Sequence, residues 1–194
     1  PDAVRAGRIY LVLVVVGEIA LFAGLAMLAA AAGSLELGNR TQGAISNGVM
    51  VLIGVGFGIK AGALPLHVWL PLAHSAAPTP ASAVLSGAMI KAGLLGWLRF
   101  IPMESAASPS WGALFVAAGA AAAFYAVAVG STQCHPKTVL AYSSISQMGL
   151  ITIGFGISLL GPAVAAAALP AVALYALHHG FAKGALFLGV GILQ

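Results

Sequence analysis

The stretch GFGIKAGALPLHVWLPLAHSAAPTP, residues 56–80, places one lysine, two histidines and four prolines inside a strongly apolar chain. Proline within a helix removes a backbone hydrogen bond and clashes with the preceding turn. A lipid bilayer offers no water to an unpaired backbone group or to an ionised side chain. The stretch therefore predicts a helix that is interrupted within the protein, where other polar groups or water meet its lysine and histidines.

The composition as a whole indicates an integral membrane protein. Of the 194 residues, 61% are hydrophobic and 6% are charged, whereas a soluble domain carries roughly 25% charged residues. The 25 glycines and the alanine runs suit close packing of membrane helices. A membrane β-barrel requires strands in which polar and apolar residues alternate, and the chain shows no such alternation. We therefore expect an all-α, polytopic transmembrane helix bundle.

Hydropathy predicts about six spanning helices in a single transmembrane domain, residues 1–194. A span needs ~20 apolar residues, and six stretches satisfy this requirement: 9–32, 44–64, 80–101, 111–130, 137–160 and 163–193. Residues 65–79 form the interrupted segment that follows the second helix. The last stretch is long for one span, so Pro170 is expected in the first turn of its helix. Because the chain starts with Pro1 rather than Met, we expect a fragment of a longer subunit.

Four ionisable residues fall inside the predicted spans. Glu18, Lys91 and Lys183 lie well inside them, and Lys60 lies close to the break at Pro65. An ionised side chain at the centre of a bilayer costs ~3 kcal/mol on insertion scales. A single membrane lysine can extend to the headgroups or form a structural ion pair. Three lysines and one acid cannot all be paired within this chain, so some must be hydrated or neutral. Because burial favours the neutral form of lysine, such residues can take up and release protons.

Histidine exchanges protons near neutral pH, so the histidines in the spans extend this set. His179 and Lys183 are four residues apart and share a helical face with Tyr175, one turn earlier. Another polar group, at residues 143–147, would bond to a neighbouring helix or hold water. The predicted proton relay comprises Lys60, Lys91, His179, Lys183, Glu18, His67, His74, His178 and Tyr175.

No metal site, cofactor site or catalytic group is predicted. His67 and His74 are seven residues apart with no carboxylate or cysteine nearby, and the single cysteine is Cys134. The chain shows no phosphate-binding loop, dinucleotide fingerprint or nucleophile elbow. The net charge of +4 is spread along the chain without a basic run, so nucleic acid is not an expected partner.

Three segments resemble the motifs of the antiporter-like proton-translocating membrane subunits. They are residues 60–100, which begin KAGALPLHVWLPLAHSAAPTP, the segment KTVLAYSSISQMG at 137–149, and HHGFAKGALFLGVG at 178–191. The family includes large membrane subunits of complex I, membrane subunits of energy-converting hydrogenases and formate hydrogenlyase, and Mrp-type Na⁺/H⁺ antiporter subunits. The resemblance implies other membrane subunits as partners, protons and Na⁺ as candidate ions, and a prokaryotic cytoplasmic (inner) membrane.

The resemblance also implies a fold and site residues. Members have about fourteen helices with two inverted five-helix repeats, and this chain resembles the sixth to eleventh helices. Lys60 matches the lysine of the first broken helix and Lys91 the middle of the relay. His179 and Lys183 match the eleventh helix. His67 and His74 match histidines of the signature loop. The family's principal glutamate would precede this chain, and Glu18 is the acid that could replace it. Redox cofactors, where present, belong to other subunits.

Two other functions fit the same residues. The first is a membrane scaffold that anchors redox partners and moves no ion, with the lysines in structural roles. The second is a quinone site at the segment containing His67 and His74, which would require an aromatic-walled cavity open to lipid. Among the three, proton conduction accounts for the largest number of ionisable residues within the spans.

Overall fold

The computed structural model describes residues 2–34, 46–101 and 109–193, and the regular elements in these ranges are helical. The elements in chain order are α1 (Asp2–Ala32), α2 (Asn47–Ala61), a 3₁₀ turn (Leu66–Val68), α3 (Trp69–Ala76), α4 (Thr79–Val84), a π turn (Leu85–Met89), α5 (Ile90–Phe100), α6 (Pro109–Gly130), α7 (Pro136–Ser158) and α8 (Pro162–Leu193). The predicted all-α fold is confirmed.

Six helical stretches within the described residues are long and apolar enough to cross a membrane: Ala3–Ala32, Asn47–Ala76, Thr79–Phe100, Pro109–Gly130, Pro136–Ser158 and Pro162–Leu193. The second crossing joins α2 to α3, and the third joins α4 to α5 through the π turn. The predicted multi-pass bundle with a discontinuous helix is therefore confirmed.

The helix ends differ from the predicted ones in two instructive places. The first helix begins at Asp2 rather than at residue 9, because Arg5 and Arg8 are good helix formers that continue the helix beyond its apolar run. The expectation for Pro170 is wrong, since Pro170 lies inside α8. Pro162 takes the helix-starting role instead, where its missing N–H costs nothing. The predicted positions 44–45 of the second helix lie outside the described residues.

The break between α2 and α3 has identifiable causes. Gly62 adopts φ +67°, a left-handed conformation suited to a helix end, and its N–H bonds to carbonyls of Gly58 and Ile59. The indole N–H of Trp69 donates to the carbonyl of Ile59 over 2.9 Å. Trp69 is 1% exposed, so this hydrogen bond ties the segment after the break to the end of α2 in the interior of the protein. Lys60 sits in the last turn of α2, beside the break.

Glycines let neighbouring helices approach closely at two places that matter for the site. A Cβ atom on Gly56 of α2 would lie 2.4 Å from the Cγ atom of Leu21 on α1. A Cβ atom on Gly180 of α8 would lie 2.8 Å from the carbonyl oxygen of Gly87 in the π turn. The first contact joins α1 to α2, and the second brings the π turn against the middle of α8.

Candidate functional site

The acidic residue of the first span lies against the lysine beside the helix break. Glu18 Oε1 and Lys60 Nζ are 2.5 Å apart, with the two side chains 54% and 35% exposed, respectively. The close α1–α2 packing at Gly56 brings the two side chains into reach. An ion pair near the middle of both spans lowers the cost of holding a charge there. Glu18 is therefore the acidic partner of Lys60 in this chain.

A second group of basic side chains lies at the junction of the π turn, α7 and α8. Lys183 and His179 are each 3% exposed. The side chain of Lys91 passes Gly180 of α8, where a Cβ would meet its Cε atom at 3.9 Å. Lys91 lies near enough to Lys183 for their charges to interact, and both amines lie near enough to His179 for charge–charge interaction. The structure thus brings together three of the predicted relay residues, which we call the Lys91–Lys183 cluster.

Among the residues that the structure describes, neutral oxygen atoms and not carboxylates bind the two amines of this cluster. Lys91 Nζ donates to the carbonyl of Ser86, five residues earlier in the π turn. Lys183 Nζ donates to the carbonyl of Leu140 on α7, at 3.1 Å. A carbonyl dipole stabilises an ammonium group and leaves it able to lose its proton without stranding an opposite charge. Such an environment suits a group that changes its protonation state.

A pair of serines connects these two carbonyls. The hydroxyls of Ser86 and Ser144 are 2.8 Å apart, and both side chains are fully buried. Ser144 Oγ also donates to the carbonyl of Leu140, at 2.9 Å. Sequence reasoning placed Ser144 in the polar group at 143–147 but missed Ser86. A single serine in an apolar helix carries little signal, because most such hydroxyls bond to their own backbone.

His74 extends the cluster toward α3. Its ring is fully buried and stacks on Phe187 of α8, with ring centroids 4.4 Å apart. The amines of Lys183 and Lys137 both lie near enough to this ring for charge–charge interaction. Lys137 is 8% exposed, and its Nζ donates to the carbonyl of Ala77 at the end of α3, at 3.0 Å. Lys137 was not among the predicted relay residues, because its position at a helix start suggested a membrane-surface charge.

The remaining predicted residues lie outside the cluster. His67 is buried against the Tyr125 ring, with centroids 5.3 Å apart. Tyr175 donates a hydrogen bond to Gln147 on α7. His178 is on the exposed side of α8. Within the described residues, no hydrogen bond joins the Glu18–Lys60 pair to Lys91.

Three buried imidazoles have ring nitrogen atoms that form no hydrogen bond with any protein group in the described ranges. They are Nδ1 of His67, and both ring nitrogens of His74 and of His179. Buried polar atoms in proteins are nearly always hydrogen-bonded, commonly to ordered water. The region is therefore suited to hydration. In the part of the chain that the structure describes, no group of three or more His, Cys, Asp or Glu residues could hold a metal ion.

Comparisons with known proteins agree with this architecture. The family model described as NADH:quinone oxidoreductase/Mrp antiporter, transmembrane, matches residues 1–194. An uncharacterized protein of Mycobacterium tuberculosis is 40% identical over 203 residues, covering 98% of this chain and 31% of that protein. Hydrogenase-4 component B of Escherichia coli is 33% identical over 204 residues, covering 98% of this chain and 30% of that protein.

A solved structure shows the same fold. In the structure of the Mrp complex from Dietzia sp., one chain matches with a TM-score of 0.86 and 29% identity, over 100% of this chain and 21% of that one. The chain thus spans less than a third of the length of these relatives. Together with the three motifs and the broken helix, these matches show that the chain belongs to the NADH:quinone oxidoreductase/Mrp antiporter family of membrane subunits.

Proposed function

We propose that this chain carries part of the proton path of an antiporter-like subunit in a redox-driven or Mrp-type membrane complex. The observation that carries the proposal is the Lys91–Lys183 cluster. Its two amines are bound by neutral carbonyls, and the imidazole of His179 has no hydrogen-bond partner among the described residues. All three groups lie near the middle of their spans. Their desolvation is costly, and the described residues place no carboxylate against either amine. A purely structural arrangement of two such amines would be expected to include a counter-charge.

The proposed transfer runs from Lys60 through Lys91 and His179 to Lys183, with water joining the steps. Glu18 holds the proton on Lys60 by ion pairing, and weakening of that pair would free the proton. Like charges repel strongly where the dielectric is low, so a proton that arrives at Lys91 favours release from Lys183. Transfer would then proceed stepwise, without a permanently charged group in a dry interior.

The other predicted residues have graded support. His74 is buried near Lys183, and no protein group bonds to either of its ring nitrogens within the described residues. It is therefore suited to exchange protons between water and Lys183. His67 lies farther along the same broken segment, against Tyr125. Tyr175 has a partner on α7, and His178 is exposed, so their parts in the relay remain predictions that rest on sequence alone.

The setting of the path is also part of the proposal. Relatives of this chain include subunits named for hydrogenase, formate hydrogenlyase and NADH-ubiquinone oxidoreductase, which favours partner subunits that carry redox chemistry. The bacterial relatives favour a prokaryotic cytoplasmic membrane. Protons are the proposed transported ions. A component of the ion flux that depends on Na⁺ would show that Na⁺ is transported as well.

Replacement of Lys91 tests the proposal directly. In the complete subunit within its assembled complex, Lys91→Ala should reduce proton translocation per turnover by about tenfold or more, because the middle group of the path is lost. The measurement is proton uptake into membrane vesicles, divided by the rate of the driving reaction. Leu95→Ala is the matched control, since Leu95 lies one turn later on α5 and is 63% exposed. Normal proton translocation in Lys91→Ala would contradict the proposal.

A non-conducting scaffold is the second candidate, and one observation favours it. Lys91, Lys183 and Lys137 each donate to a backbone carbonyl of another turn or helix, as a structural tether would. This function predicts that Lys60→Met and Lys91→Met leave proton coupling intact and alter only the amount of assembled complex. A quinone site has less support, because it would require a cavity with aromatic walls. The cavity of about 540 Å³ beside the broken segment is lined by one aromatic residue, Tyr10, among the described residues.

A further inference from the structure

The two serines between α7 and the π turn form a directed hydrogen-bond chain. A hydroxyl carries a single proton to donate. Ser144 gives its proton to the carbonyl of Leu140, so in the contact between Ser86 and Ser144 the donor is Ser86. The chain therefore runs from Ser86 to Ser144 to the Leu140 carbonyl, and that carbonyl also accepts from Lys183.

The other end of the chain meets the second lysine. The residue whose hydroxyl starts the chain, Ser86, also supplies the backbone carbonyl that binds Lys91. The two lysine-binding carbonyls thus belong to different helices and are linked by the serine pair. The π turn itself packs on α8 through Gly87 and Gly180. Wide turns of this kind recur at functional sites because they present groups that a regular helix would keep for itself.

We propose that Ser86 and Ser144 are positioning residues that hold the two lysine-binding carbonyls in a fixed relation, so that protonation of Lys91 is communicated to Lys183. This inference rests on the proposed proton path and extends it to side chains that do not themselves ionise. Without the link, the π turn and α7 can shift relative to each other, and the two amines lose their common spacing. Coupling between them depends on that spacing because electrostatic interaction falls with distance.

A merely structural role for the same serines makes a different prediction. Removing one of two bonded hydroxyls leaves the other without its partner, whereas replacing both by apolar groups can be nearly neutral. A structural pair would therefore show damage in each single alanine variant and recovery in the double variant. A positioning pair would show the same loss in all three, because each variant lacks the one link between the carbonyls.

The experiment uses the complete subunit in its assembled complex and measures protons translocated per turnover, together with the amount of complex. We expect Ser86→Ala, Ser144→Ala and the double variant each to lose about fivefold, the effect of one hydrogen bond. Ser144→Thr should stay within about twofold of the native protein, because threonine keeps the hydroxyl and the bond to the carbonyl four residues earlier.

Ser146→Ala is the matched control. Ser146 lies on the same helix, is 6% exposed, and donates to the carbonyl of Ala123 on α6, away from the lysines. It should leave translocation unchanged. Recovery in the double variant, or equal losses in Ser146→Ala and Ser144→Ala, would overturn the inference while leaving the proton path intact. Normal translocation in Lys91→Ala would overturn both the path and this inference.

Discussion

The chain holds lysine inside the membrane in two different ways. Lys60 has an acidic partner, Glu18, and the pair lies on a partly open face of the described residues. Lys91 and Lys183 have no carboxylate partner there; carbonyls bind them, and Lys183 is almost completely buried. An ion pair fixes a charge in place, whereas a dipole tolerates both charged and neutral amines. On the proposed proton path, Lys60 is therefore the entry point, and the cluster is the part through which protons are conducted.

The largest effect should come from removing Lys183. Its amine is buried, donates to the Leu140 carbonyl, and lies near enough to Lys91 and His74 for charge–charge interaction. A positioned proton-transfer group contributes on the order of 10²-fold or more, so Lys183→Ala should lower proton translocation about a hundredfold. The measurement is initial proton flux in vesicles that contain equal amounts of assembled complex.

The comparison would fail if Lys60→Ala lowered proton flux in the same assay as much as Lys183→Ala does, and if replacement of Glu18 changed neither of the two losses. The two lysines would then play equivalent parts, and the distinction between ion-paired and dipole-bound amines would have no functional meaning. Phe181→Ala serves as the control on α8, because Phe181 is 75% exposed and lies two residues from Lys183.

An intermediate effect is expected from Gly180, which sets the distance between the π turn and α8. A Cβ there would lie 2.8 Å from the Gly87 carbonyl, which is backbone and cannot rotate away. Overpacking of this kind costs about 1–3 kcal/mol, and the displaced π turn would carry Lys91 with it. Gly180→Ala should therefore lower proton flux about tenfold, as measured against the amount of assembled complex.

Gly184→Ala provides the matched control for Gly180→Ala. It lies one turn later on α8, and a Cβ on Gly184 would meet nothing within 4 Å. Alanine is about 1 kcal/mol more favourable than glycine within a helix, so this variant should be as stable as the native protein or slightly more so. Equal fluxes in the two variants would show that the close contact between the π turn and α8 does not position the cluster.

The sequence predicted the frame of the molecule and the charged members of the site for clear physical reasons. A lysine in an apolar run is conspicuous because its presence there is costly, and prolines between residues 65 and 80 mark the break. The roles of Leu140 and Ser86 could not be predicted in this way, because they act through backbone carbonyls, which every residue possesses. Lys137 was overlooked for a related reason, since only the folded chain brings the end of α3 to its amine.

The smallest effect is expected at the ion pair, and it separates the two kinds of lysine most finely. A partly exposed pair contributes about 0–1 kcal/mol. Glu18→Gln should therefore lower proton flux by about threefold and leave the amount of complex unaltered. Glu18→Lys should be worse, because it sets two ammonium groups side by side. The double exchange Glu18→Lys with Lys60→Glu should recover most of the loss if the pair's only task is to hold charge. If the double exchange recovers the amount of complex but not the flux, a lysine is needed on α2 beside the break, as the proposed path from Lys60 requires.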